Sequence, residues 1–284
     1  MEFFRAANIG FEESIRMAAD LGYHAVEPVI HTGWDQFAEV RYSPAFTTEE
    51  DPLLMRDICD AVGIEVGAIS GHSPLMRPEA AVPRLTKAIQ LAAATGARVV
   101  TTNEKHRPEW MDDDQAWEVM RYTLKVVNLV AQRYGIHIGI EQDGEFTRTT
   151  AGLLRIADLV PSPWIGLTWD TGNAYLAGTD DPYDALELAV PRIRHVHLKD
   201  LETDFATRNR GRMSSAITGC AIGEGVMDWE RIFSILGKVD RPLTLSVQCS
   251  SVEQAASSLE FLTTTLGSAV TPRRPLRAHL TAVE

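Results

Sequence analysis

Seven residues of this chain share one local setting: Glu27, His72, Glu104, Glu141, Asp170, His197 and Gln248 each close a short apolar run. Apolar segments that end in so many carboxylates and imidazoles are costly to bury unless those groups meet a common partner. A divalent cation is such a partner. Glu141, Asp170, His197 and Gln248 offer two carboxylates, one imidazole and one amide carbonyl. This mostly oxygen donor set favours Mn²⁺, with Mg²⁺ or Co²⁺ as alternatives, over structural Zn²⁺. Asp143 and His106 are further candidate proton carriers beside Glu141, His106 from a loop (NEKHRPEW) able to form part of a lid. His72, Glu104 and Lys199 are candidate substrate contacts. His72 lies between Gly71 and Ser73, where backbone can approach a ligand closely. Lys199 alternates with His197 and shares its face, as does His195 one layer deeper, where it reads as a supporting or core histidine; Trp169 faces the other way, toward helix packing.

The elements that must position these residues repeat one pattern. An amphipathic helical stretch ends at a Gly- or Pro-containing turn, and a short apolar run capped by a polar residue follows. FEESIRMAADLGYHAVEP turns at Gly22 and reaches Glu27; later units turn at Gly63, Gly96 and Gly135, and the seventh reaches Gln248. Short strands alternating with helices of about three turns predict parallel pairing through right-handed crossovers. With a short first strand in Met1–Ile9 the count is eight, which predicts an α/β chain folded as a single (β/α)8 TIM barrel over residues 1–266. The alternative, a doubly wound open sheet, lacks a GxGxxG after its first strand. In a barrel the strand C-termini converge on one mouth, and Glu141, Asp170, His197 and Gln248 fall on neighbouring strands five to eight. Residues 267–284, with Pro272, Pro275 and three arginines, read as an extended basic tail.

Composition narrows the function classes. The net charge of −12 argues against a nucleic-acid backbone binder. No apolar run reaches the roughly 20 residues of a membrane helix, and MEFFRAANIGFEES lacks the apolar core of a signal peptide, so the expectation is a cytoplasmic protein with no membrane partner. Three scattered cysteines form neither a disulfide framework nor a zinc ribbon. The loop GRMSSAITGCAIGEGV (211–226) follows strand seven, where barrels often bind phosphate, yet it carries no basic residue between Ser214 and Val226. An unphosphorylated substrate is expected.

The stretches GIEQ, GLTWDTGNAY, IRHVHLKD and AIGEGVMDWERIFSILGKV, with PLTLSVQ beyond, resemble the sugar phosphate isomerase/epimerase superfamily of xylose-isomerase-like TIM barrels, over nearly the whole chain. HVHLKD followed by GEG-x-x-DW is the most specific part. The resemblance implies metal ligands at Glu141, Asp170, His197 and position 248, where the superfamily has Glu. Gln248 still offers a carbonyl oxygen but accepts no proton at neutral pH. One of the two metal-bound bases of a sugar epimerase is therefore missing, and the surviving half-reaction is α-proton removal to an enolate, which eliminates a β leaving group. Among the superfamily's lyases, inosose-type dehydratases expel water, whereas the larger (alpha) subunits of C-glycoside deglycosidases expel an aglycone from a 3-oxo-glucoside. SGHSPLMRPEAAVPRLTKAIQLAAATGARVVTTNE and RYGIHIGIEQDGEFTRTT are similar to these lyases, and the deglycosidase branch is favoured. That branch carries His two residues after its metal Glu, where this chain has Asp143. Its partners would be a small-molecule sugar or glycoside and a small second subunit, with a homo-oligomer as the alternative. The rival readings are an isomerase or epimerase using another base, and a catalytically silent sugar-binding protein.

Overall fold

A computed structural model describes residues 9–31, 45–105, 107–212 and 219–267. The expected first strand, His106, the middle of the loop after strand seven and the basic tail beyond Gly267 lie outside the described residues. The chain opens with α1 (Phe11–Asp20), β1 (Ala25–Val26), β2 (Ile30–His31), β3 (Phe46–Thr47) and α2 (Pro52–Val62). There follow β4 (Glu65–Val66), β5 (Ile69–Ser70), α3 (Pro78–Thr95), β6 (Val99–Thr102), α4 (Asp113–Tyr134) and β7 (His137–Glu141). The second half contains α5 (Thr150–Asp158), β8 (Ile165–Asp170), α6 (Thr171–Ala177), α7 (Pro182–Ala189) and β9 (Ile193–Leu198). It ends with α8 (Thr203–Asn209), α9 (Trp229–Leu236), β10 (Leu245–Val247) and α10 (Val252–Leu266).

β5 to β10 form one six-stranded parallel sheet in sequence order, and β1 pairs in parallel with β4. β4 and β5 are two halves of one barrel strand, interrupted at Gly67 and Ala68. Gly67 N donates to Val26 O and Ser70 N to Pro28 O, which continues the parallel order onto the segment ending at Glu27. The wall thus runs in order from the second expected strand to the eighth, as a TIM barrel requires. The fifth to eighth expected strands are β7, β8, β9 and β10. The small parallel pair β2–β3 is an addition to the helix-then-strand pattern, and Phe46 of β3 packs edge-on against Phe11, ring centroids 5.2 Å apart.

Local chemistry explains why the units form. Asp112 and Gln115 make a reciprocal capping box that starts the 22-residue α4. The helix stops at Gly135, whose φ of 68° is left-handed backbone that glycine enters without a Cβ clash. Ile138, Ile140, Ile165, Leu167, Ile193 and Val196 are wholly buried, because helices cover the outside of parallel strands and the barrel interior fills their inside. Among the described residues no helix is long and apolar enough to cross a membrane.

Asp200, just past β9, organises the return toward α9. Its carboxylate accepts from Leu201 N (2.9 Å), Gly223 N (2.9 Å), Gly225 N (3.0 Å), Met227 N (3.2 Å) and Trp229 Nε1 (2.7 Å). A Cβ at residue 225 would overlap that carboxylate, so only glycine lets the loop close around it. The spacing of the final Asp of HVHLKD to GEG-x-x-DW is therefore the spacing of an anion to its backbone cradle. These N–H groups are filled by the chain's own carboxylate. Replacing the anion by an amide leaves buried donors facing an NH₂ group. Asp200→Asn is expected to lose about 3 kcal/mol of stability in urea unfolding; a loss below about 1 kcal/mol would contradict this role for Asp200.

Candidate metal centre

Strand order brings three of the expected ligands together. Glu141 ends β7, Asp170 ends β8, and Asp170 lies in register with His197 on β9. One ligand atom from each lies within 4.8 Å of the others, and all three residues are buried. His197 Nδ1 is 3.1 Å from Glu141 Oε1, and His72 Nε2 faces Glu141 Oε2 at 2.8 Å. Asp170 Oδ1 accepts from Asn173 N (2.8 Å) as the cap of α6, while its Oδ2 faces Lys199 Nζ at 2.9 Å. Both carboxylates are buried, and each of these outer oxygens faces a proton-bearing nitrogen within 2.9 Å. Two buried carboxylates clustered with an imidazole, one ligand atom from each within 4.8 Å of the others, form a donor set that fits a divalent cation. Gln248 follows β10, donates its N–H to Leu198 O (2.8 Å), and lines one cavity with Glu27, His72 and His197.

The charges in this cluster balance at short range. Burial pushes the Glu141 carboxyl up, but the His197 and His72 imidazoles outweigh it and hold the group well below the usual carboxylate range. Glu27 behaves alike, held down against burial by His197 and His195. Burial disfavours the charged imidazole of His197, yet Glu27 and Glu141 on either side raise it well above an ordinary histidine. Burial raises Asp170, opposed by Lys199, whose ammonium also donates to Asn173 Oδ1 (3.2 Å). His72 keeps 29 % of its side chain exposed, whereas the Lys199 side chain keeps 4 %.

The other site candidates divide between mouth and loop. Asp143 is raised by burial, partly offset by Lys105; it accepts from Asn103 Nδ2 (2.7 Å) and from Lys105 Nζ (3.4 Å). Lys105 adopts a φ of 58°, a left-handed backbone uncommon outside glycine. Glu104 is wholly buried; its Oε1 accepts from Phe146 N and Thr147 N, and its Oε2 has no hydrogen bond. Only glycine at 144 leaves room for this carboxyl, which anchors the loop carrying Asp143 from behind.

Residues 15–265 match the sequence signature of the xylose isomerase-like TIM barrel. The chain belongs to that family. An inosose dehydratase of Bacillus thuringiensis (strain Al Hakam) is 27% identical over 164 residues, 55% of this chain and 54% of that protein. A 3-oxo-isoapionate decarboxylase of Pectobacterium atrosepticum is 26% identical over 171 residues, 59% and 58% of the two chains. The chain spans little more than half the length of these relatives. A solved IolI protein with a bound zinc atom superposes with a TM-score of 0.71 at 15% identity, covering 95% of this chain and 97% of that one.

Three contributors to this xylose isomerase-like site are given no site role by sequence reasoning. Glu27 bridges His195 and His197; Asn173 links Lys199 to Gln142 O (2.8 Å); Gln142 Oε1 accepts from Asp170 N (3.2 Å). The period-two HVH was a usable signal for Glu27, since two imidazoles on one buried face require an acceptor. Metal content should be one equivalent per chain in wild type and lost in Glu141→Ala and His197→Ala, as read by elemental analysis. A second expectation concerns Glu104, which burial raises from 4.5 to about 7. A carboxyl raised on folding contributes stability that is complete below its unfolded value and is lost as pH rises through its folded one. The difference is worth about 3 kcal/mol. Relative to Glu104→Gln, wild type should lose about that much between pH 4 and pH 8 in urea unfolding; parallel stability curves would contradict it.

Proposed function

We propose that this chain is a divalent-metal-dependent lyase that removes the proton α to a keto-sugar carbonyl and then eliminates a β leaving group. The favoured reaction is that of the catalytic subunit of a C-glycoside deglycosidase acting on a 3-oxo-glucoside. The observation that carries the reading is Gln248. It borders the same cavity as His72 and His197, and an amide there accepts no proton, so a symmetric two-base exchange lacks one base. A cation held by Glu141, Asp170 and His197, with the Gln248 carbonyl as fourth donor, would supply polarisation of the substrate carbonyl and its neighbouring hydroxyl.

The chain's own residues supply the rest. Glu141 is kept ionised by His72 and His197. Asp143, two residues past Glu141 and raised by burial, is the carboxylate proposed to take the α-proton. The C–H electron pair forms the enolate, the bond to the β substituent breaks, and the substituent departs with that bond's electron pair. His72, partly exposed, contacts substrate; Lys199, held by Asp170 and Asn173, acts on substrate through Asp170. His106, outside the described residues, is the second proposed proton carrier, and Mn²⁺ is the proposed metal. A small second subunit would complete the mouth.

A second reading has specific support. The two relatives are named a dehydratase and a decarboxylase, lyases both, which favours elimination over epimerisation and makes water an alternative leaving group. With Mn²⁺ and a 3-oxo-glycoside, aglycone release that stops on chelation is expected, and Asp143→Asn should lower kcat by about 10²–10⁴-fold. Inosose dehydration without aglycone release would select the second reading, and no turnover of either substrate would leave the silent sugar-binding protein. Gln248→Glu is expected to gain epimerisation at the carbon α to the carbonyl, followed as the epimer carrying solvent deuterium at that carbon.

A further inference from the structure

Glu27 lies outside the expected ligand set, yet it is the most heavily engaged acid beside it. Its Oε2 is 2.8 Å from His195 Nε2 and 3.0 Å from His197 Nε2, and its Oε1 is 3.1 Å from His197 Nε2. Thr101 Oγ1 donates to Oε1 (3.1 Å), and Ser246 Oγ stands 3.0 Å from His195 Nε2. Glu27, His195 and Thr101 are all buried. The carboxylate is thereby braced from β6 and β9, with Ser246 of β10 against His195, and the two imidazole rings stand nearly perpendicular, at 88°, with centroids 5.1 Å apart. The opposite nitrogen of His197, Nδ1, is the one at Glu141.

We infer that Glu27 is a positioning residue that holds the Nε2–H of His197 and thereby presents Nδ1 as the metal-binding atom. The inference rests on the metal centre proposed above and adds which atom binds and what fixes it. An imidazole has one lone pair to give when neutral, so a carboxylate that retains the proton on one nitrogen assigns the lone pair to the other. The same carboxylate fixes the ring plane and makes the ligand more basic. Glu27, His195 and His197 also satisfy the spacing of a metal-binding group. Their mutual distances of 2.8–3.1 Å, however, are those of nitrogen donors on a carboxylate, and the carboxylate is already tied to Thr101. Orientation is therefore the role argued for Glu27.

The decisive measurement is NMR of ¹⁵N-histidine-labelled protein loaded with ¹¹³Cd²⁺. One cadmium resonance coupled to His197 Nδ1, with a slowly exchanging proton on Nε2, is expected. Coupling to His197 Nε2, or a second cadmium resonance lost in Glu27→Gln, would overturn the role of Glu27 while leaving a metal centre in place. An absence of bound cadmium would instead sink the metal centre itself. In Co²⁺ titrations followed by visible absorption, Glu27→Gln should weaken binding by about 10–100-fold and change the spectrum. Glu27→Asp, which keeps the charge, should recover part of the affinity. Unchanged Co²⁺ affinity in folded Glu27→Gln would refute the assignment, and the wild-type cadmium spectrum decides it even where that variant fails to fold.

Discussion

The site depends on an alternation of charge packed where water does not reach. Glu27, His197 and Glu141 follow one another at hydrogen-bond distance, with His195 and His72 at the two ends, and Asp170 is matched by Lys199. An isolated carboxylate in such a place costs several kcal/mol of desolvation, and removing one member of a buried pair leaves that cost uncompensated. The three acids are therefore tolerated only because cationic or proton-bearing partners on neighbouring strands arrive within about 3 Å. That requirement constrains strand register. A one-residue slip of β9 against β8 would turn His195, His197 and Lys199 outward and leave Asp170 unpaired.

Carboxylates do three different jobs within this small region, and their surroundings decide which. Asp200 accepts five donors from one loop and is saturated. Glu104 accepts two backbone N–H groups on one oxygen, keeps the other unmatched, and is raised to about 7 by burial. Glu141 meets imidazoles on both oxygens and stays ionised. Saturated acids build the frame of the mouth. Glu104 holds its loop in the same way, whereas Glu141 stands in the cluster with Asp170 and His197.

Much of this was legible in the sequence because parallel strands are short, apolar and end at one mouth. The runs ending at Glu141, Asp170 and His197 announced both their elements and their shared location, and the turn after α4 was visible in Gly135. Other features were not legible because their partners are remote. Glu27 and His197 are 170 residues apart, and a strand-end glutamate before Pro28 reads equally well as a loop anchor. Asp200 stands beside Lys199 in sequence, yet its donors come from residues 23 to 29 positions later as well as from Leu201. Asn173 sits one helical turn after Asp170, where a cap was legible but a bridge to Lys199 was not. The β2–β3 pair interrupts the repeat with strands of two residues each, too short for periodicity to register.

By itself the sequence determined most of the order of helices and strands, the alternation that places His195, His197 and Lys199 on one face, and an amide, which accepts no proton, at position 248. These are local properties, set by side-chain period, turn chemistry and functional-group identity. Tertiary structure alone decided which acid serves which role: Glu27 against two imidazoles, Glu104 beneath the β7–α5 loop, Asp200 inside its backbone cradle. The physical reason is that a carboxylate's state depends on the donors and charges within a few ångströms, and in a barrel those neighbours come from strands far apart in the chain.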